Sequence, residues 1–214
     1  MDVTIYATDD GRQKHIRPCV IGRMIFRAAK IDIACLSDMT SPDNFVVINK
    51  TNGEQTMKLI TSAMMNELVG KAAEAKRLRM NLNIHEQLSD PVQRLFIAAK
   101  PSSYFRPHRH PGKSEFAIVI RGWFDVLTFN EAGVVTERTS VGAGQSAFGL
   151  EIPPDAWHTW IPRDDASVFF EVKQGPYDPA TSMQFAAWSP DEGAPEVADF
   201  QARLLGLTIG ESAA

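Results

Sequence analysis

HRHPGKSEFAIVIRG, residues 108–122, is the stretch on which the reading of this chain turns. His108 and His110 stand two residues apart, a spacing that puts both imidazoles on one face of an extended backbone. Pro111 and Gly112 turn the chain. Glu115 then opens the apolar run Phe116 to Ile120, which ends at Arg121 and Gly122. A hairpin at this point returns a carboxylate beside the two imidazoles. Much later, PPDAWH (residues 153–158) makes another turn and delivers His158 at the start of a further strand. A pair of histidines two apart occurs by chance. The coincidence of that pair with a spaced glutamate, a strand-ending glycine and a turn-borne third histidine is harder to dismiss. Three neutral imidazole nitrogens and one carboxylate oxygen suit a single first-row divalent ion. With four protein ligands, an octahedral ion keeps positions open for water or substrate. The donor set does not distinguish Fe, Mn, Ni and Zn.

The surroundings of this stretch are β in pattern. Arg94–Ala98, Glu115–Ile120, Trp123–Phe129, Val134–Val141, Ser146–Ile152, His158–Ile161 and Ser167–Lys173 read as short strands punctuated by Gly and Pro. That spacing indicates an all-β barrel or sandwich, here 93–178. Residues 57–92 supply a helix and a connecting segment that pack on it. The helix is expected over 57–80, capped by Thr61 or Ser62, with Met64, Leu68, Ala72 and Ala75 at helical spacing. Lys71, Lys76, Arg77 and Arg79 favour the C-terminal end of its dipole. A tail, 179–214, carries a second helix over Pro195–Leu205, with Val197, Phe200 and Leu204 on its apolar side and Gly206 as a stop. Residues 1–56 read as a peripheral extension, with a short strand at Val46–Ile48.

Composition excludes several classes. The 214 residues are 44% hydrophobic and 22% charged, with a formal net charge of -4. This is the profile of a globular chain and offers no footprint for nucleic acid. The two cysteines, Cys19 and Cys35, form no CxxC pair and read as reduced thiols. The N-terminus lacks a basic segment followed by an apolar run, and Ile16 to Leu36 is too interrupted by charge to span a bilayer. A cytoplasmic protein without membrane contact is the expectation.

Residues 108–122 resemble the first motif of the cupins, and 153–158 resemble the second. The resemblance implies a mainly β fold, a cupin double-stranded β-helix (jelly-roll) barrel, with a homodimer as a common assembly. Two departures stand out. Asp155 occupies a place usually held by glycine, where φ is expected to be positive, and Pro162 one often held by asparagine. A wider set of residues narrows the likeness: Met57–Ile60, Arg77–Glu86, Asp90–Arg94, the histidine motif, and Glu171–Pro179. Together, over roughly 57–190, they resemble the WbuC family of cupin-fold metalloproteins, which is associated with bacterial O-antigen and surface-polysaccharide gene clusters. The implied function is a metal-dependent cupin acting on a small polar metabolite such as a sugar derivative. It would be an isomerase or a dioxygenase. The alternative is a non-catalytic, metal-dependent ligand-binding module or sensor.

Other residues near these motifs are candidates for contact with a ligand. Arg106 shares strand parity with His108 and His110 and is the preferred anion anchor, since a guanidinium grips carboxylate or phosphate bidentately. Tyr104, Trp157 and Lys173 are further candidates. His85, in the polar stretch with Asn81, Asn83 and Glu86, reads either as a pocket rim or as a solvent-facing connection. Glu171 and His85 are possible general bases. Trp123 and Phe124 alternate, so only one of them can point inward.

Overall fold

In the computed structural model the residues described are 3–9, 12–15, 47–50 and 57–214. The chain forms two compact units, Met1–Met64 and Met65–Ala214. In the first, β1 (Val3–Asp9), β2 (Arg12–His15) and β3 (Val47–Lys50) make an antiparallel sheet of order β2-β1-β3. The strand expected at Val46–Ile48 is thus β3, displaced toward its C-terminal end. No described helix is long and apolar enough to cross a membrane.

The helix α1 (Ser62–Glu74) is shorter than the expected 57–80. Thr61 does cap it, its Oγ1 accepting the Met64 N–H at 3.3 Å. Met65, Leu68 and Ala72 are its buried residues, four and three apart, as a core-facing stripe requires. The helix stops well before Arg79 because the backbone turns at Leu78, where φ is +52°. A strand follows at once, β4 (Arg79–Asn83), in place of the expected last helical turn.

Two five-stranded antiparallel sheets build the barrel. Their remaining strands are β5 (Val92–Ala99), β6 (His108–Arg109), β7 (Glu115–Arg121), β8 (Trp123–Phe129), β9 (Val135–Gly142), β10 (Gly149–Ile152), β11 (Trp157–Pro162), β12 (Ser167–Gln174) and β13 (Gln184–Phe185). One sheet runs β10-β7-β12-β5-β4 and the other β13-β6-β11-β8-β9. Chain-consecutive strands fall repeatedly into opposite sheets, which is the double-stranded β-helix, or cupin, arrangement. Fold class and most strand positions match the expectation.

Alternation along the strands sorts the apolar residues into two clusters. Phe124, Val126, Trp160 and Phe169 pack with Phe105 and Ala117. The Trp160 and Phe169 rings stack there at 4.4 Å, only 7° from parallel. The opposite parity of β8 and β11 (Leu127, Phe129, Trp157, Ile161) packs against Phe200 and Leu204 of α2 (Val197–Gly206). This explains why every residue of β11 is buried. It also settles the Trp123–Phe124 alternation: Phe124 is fully enclosed, whereas the Trp123 ring lies beneath the Arg163 guanidinium.

Gly122, between β7 and β8, has φ +58°, and a Cβ there would meet Ser167 Oγ at 2.8 Å and Asp164 Cβ at 2.9 Å. Gly122→Ala is therefore expected to destabilise the chain by about 1–3 kcal/mol through forced left-handed backbone and crowding. Urea unfolding of the two proteins measures this; equal midpoints would contradict it.

Candidate metal centre

His108 sits on β6 and His158 on β11, and the two are direct partners in the ladder. His110 lies just past β6, and Glu115 is the first residue of β7. The turn between them, with Gly112 at φ +66°, brings Glu115 back alongside. This turn is tied to the one that precedes His158. Gly112 N–H donates to Asp155 Oδ1 at 3.1 Å, and Asp155 N–H donates to His110 O at 3.2 Å. Asp155 has φ +63°, as expected for the glycine it replaces. Its side chain supplies a link that glycine could not.

The four side chains are buried, and one ligand atom from each lies within 4.8 Å of all the others. Their orientation is dictated by backbone carbonyls. His108 Nδ1 meets Arg106 O at 2.8 Å, His110 Nδ1 meets Ser182 O at 2.7 Å, and His158 Nδ1 meets Ala156 O at 2.9 Å. A carbonyl only accepts, so each Nδ1 carries a proton and Nε2 is the ring nitrogen left to face the cluster. Glu115 is oriented by the Trp160 indole N–H, which donates to its Oε1 at 3.2 Å. The other oxygen, Oε2, faces His110 Nε2 at 2.9 Å and His158 Nε2 at 3.7 Å. His158 Nε2 has no hydrogen-bond partner. Two imidazole nitrogens facing one buried carboxylate oxygen, one of them without a partner, are arranged as a cation between them would require. With bonds of about 2.1 Å, two ligands at right angles on one ion stand about 3.0 Å apart. The residues present thus fit a divalent metal ion, each imidazole held by an outer carbonyl in the manner usual for metal-bound histidine.

Electrostatics agree. Burial, then the neighbouring His158 and His110, hold His108 well below the usual imidazole range, so it stays neutral. Burial would push Glu115 up, but its surroundings, His110 and His158 first and then Lys173, outweigh this and hold it well below the usual carboxylate range. Beside this group, Glu171 and Lys173 on β12 form a buried ion pair. Burial, and then Glu115, push Glu171 up, with Lys173 offsetting part. For Lys173, burial is outweighed by the two carboxylates, and its value is raised.

A cavity of about 350 Å³ opens onto the centre, and His108, His110 and Glu115 are in its wall. Arg106, Lys173 and His85 also line it, as do Asn81, Asn83 and Glu171. The Arg106 guanidinium is already engaged, however. It donates to Ser189 Oγ (3.1 Å), Ser189 O (3.1 Å) and Ala186 O (3.3 Å) and pairs with Asp191. Tyr104 and Trp157 do not line the cavity. Tyr104 donates its hydroxyl to Pro190 O at 3.1 Å, and its ring packs in the α2 cluster. Trp157, one residue from His158, points to the opposite face of β11, where its indole donates to Glu131 Oε2 at 3.0 Å. Sequence reasoning missed Ser182 as the carbonyl behind His110. A backbone oxygen in an irregular segment leaves no side-chain signature.

A family described as "Domain of unknown function (DUF6016)" matches residues 60–141. No curated protein matches the chain. Among solved structures, the chain is similar to an uncharacterized conserved protein with a double-stranded β-helix domain from Klebsiella pneumoniae subsp. pneumoniae MGH 78578. Identity is 15%, over 61% of this chain and 98% of that one, with a TM-score of 0.44. It is also similar to a cupin 2 domain-containing protein from Halorhodospira halophila, at 17% identity over 60% and 77% of the two chains, with a TM-score of 0.38. A third is the Lactobacillus farciminis oxalate decarboxylase formate complex, at 22% identity with a TM-score of 0.36. That match covers 45% of this chain and spans 27% of the length of the other. The fold itself rests on the strand order and register described above.

Lys173→Met would leave Glu171 buried without its cation. A loss of about 3–5 kcal/mol in urea unfolding is expected. Replacing both residues with apolar side chains should recover most of it. A double variant no more stable than the single one would contradict the pairing.

Proposed function

We propose that this chain is a metal-dependent cupin that holds one divalent ion on His108, His110, Glu115 and His158 and acts on a small polar metabolite in the adjoining cavity. One observation carries the reading: three buried imidazoles, each locked with its Nε2 toward the cluster, and one of those nitrogens without any partner. Bound there, the ion supplies a Lewis acid for a carbonyl or enediolate oxygen or, if redox-active, a site for dioxygen. These are the isomerase and dioxygenase branches.

The chain's own residues would contribute in defined ways. Trp160 holds Glu115 in place through Oε1. Glu171, raised by burial, is placed in the cavity wall to hold or release a proton, and Lys173 compensates its charge. The cavity volume lies at the low end of the range for small-ligand sites, which favours a single sugar-sized molecule over a nucleotide-linked one. The resemblance to the WbuC family supports a sugar derivative of surface-polysaccharide metabolism as that molecule. The likeness to the cupin motifs supports a homodimer. The cavity beside the centre favours catalysis or ligand capture over a purely structural ion, which is usually closed off by its ligands.

Protein purified without chelator or metal-affinity tag is expected to contain about one equivalent of a divalent transition ion per chain, measured by elemental mass spectrometry. His108→Ala and His158→Ala should each lower that content about tenfold or more. Iron would leave both branches open, whereas zinc or nickel would weaken the dioxygenase branch. Unchanged metal content in both variants would overturn the assignment.

A further inference from the structure

The three histidines of the metal centre are not held alike. His108 and His158 each bond a carbonyl two residues earlier in the chain, Arg106 O and Ala156 O. Those bonds travel with the strands that carry the rings. His110 instead reaches Ser182 O, 72 residues away in sequence, at 2.7 Å. The direction of its ring therefore depends on where one distant peptide group is placed. Ser182 lies in the crossing from β12 to β13, which belong to different sheets. Ser182 and His110 are both buried.

One residue ties this crossing into shape. Asp178 Oδ1 accepts the Ala180 N–H at 2.9 Å, and Oδ2 accepts the Thr181 hydroxyl at 3.0 Å. The Asp178 carbonyl accepts the Thr181 N–H at 3.1 Å and the Ser182 N–H at 2.8 Å. Its own N–H donates to Ser182 Oγ at 2.8 Å. Residues 178–182 thus close on one aspartate, whose short side chain bonds backbone two residues on, as turns favour. The bond from Ala180, and then that from Thr181, hold its carboxyl below the usual range, so both oxygens stay acceptors. The ends of the crossing are fixed separately. Tyr177 N–H donates to Leu88 O at 2.7 Å, and Ala186 N–H donates to Pro107 O at 2.9 Å. Those anchors leave open the aim of the Ser182 carbonyl between them, and the Asp178 loop supplies it. Asp178 is exposed and stands outside the cavity wall, so its route to the centre is through Ser182.

We propose that Asp178 is a positioning residue of the metal centre: by closing residues 178–182 on itself it sets the Ser182 carbonyl behind His110 and so aims His110 Nε2 at the ion. The proposal rests on the metal reading above. Its test uses the full chain, with zinc as the probe and affinity read by competition with a chromophoric chelator. Asp178→Ala should weaken zinc binding about tenfold or more, the usual effect of losing an outer partner of a ligating histidine. Asp178→Asn keeps an oxygen for the Ala180 N–H and should recover part of the loss. Ser182→Ala keeps the carbonyl but removes the hydroxyl that accepts the Asp178 N–H, and should weaken binding in the same direction. A second readout needs no metal. In ¹⁵N-edited spectra of the metal-free chain, each Nδ1–H resonance is assigned by its loss when that histidine is replaced by glutamine. Asp178→Ala should shift the His110 resonance or abolish it, and leave those of His108 and His158 in place, because their carbonyls lie in their own segments.

Several results would overturn the proposal. Full zinc affinity or an unmoved His110 resonance in Asp178→Ala would show that the loop does not aim the ring. Resonances of all three histidines moving together would reveal a general role in stability instead. An asparagine variant as weak as the alanine one would assign the effect to the carboxylate charge rather than to its bonds. A wild-type chain that takes up no zinc would refute the metal reading, and the His110 resonance would still decide whether Asp178 holds that ring.

Discussion

Three backbone carbonyls, those of Arg106, Ala156 and Ser182, hold the metal centre in its form. Each accepts the Nδ1 proton of one histidine and so fixes the direction of the other nitrogen. Without these bonds the imidazoles could rotate or carry their protons inward, and the cluster would be a buried polar defect. With them, three ring nitrogens and a carboxylate point to one place, and a cation there repays the cost of burying them. The carbonyls come from the stretch before β6, the turn before β11 and the segment before β13. The site therefore depends on tertiary structure.

The barrel delivers those segments. Pairing of His158 with His108 sets one side of the centre by register alone. A one-residue slip of β11 would turn His158 to the α2 face, where Trp157 now packs. The reciprocal bonds between the Gly112 and Asp155 turns set the other side. Beneath the ligands, Trp160 stacks on Phe169 and presents its indole N–H to Glu115, so the same side chain serves the core and the site.

The fold and the buried cluster of His108, His110, Glu115 and His158 were legible because both are written in short-range pattern. Strand alternation, turn residues and histidine spacing all lie within a few positions of one another. Strand β4 was not legible, since Arg77, Leu78 and Arg79 continue the composition of α1 and nothing in a leucine announces a left-handed backbone. Parity served Arg106 only in part. It does line the cavity, yet its guanidinium is taken up by residues 186–191, partners that no local pattern reveals. Tyr104 was expected near the ligand site, but it lies in a segment without strand geometry and packs under α2 instead. Trp157 is excluded from the cavity by the same alternation that places His158 in it.

The convergence of three imidazoles and one carboxylate on a single ion is open to direct measurement by X-ray absorption at the edge of the metal that copurifies with the protein. The expected spectrum shows nitrogen and oxygen donors at about 2.0–2.2 Å and the outer-shell scattering of three imidazole rings. The His158→Ala protein should lose one ring from that pattern or lose the metal altogether. A spectrum with sulfur donors, or with no imidazole scattering, would contradict it.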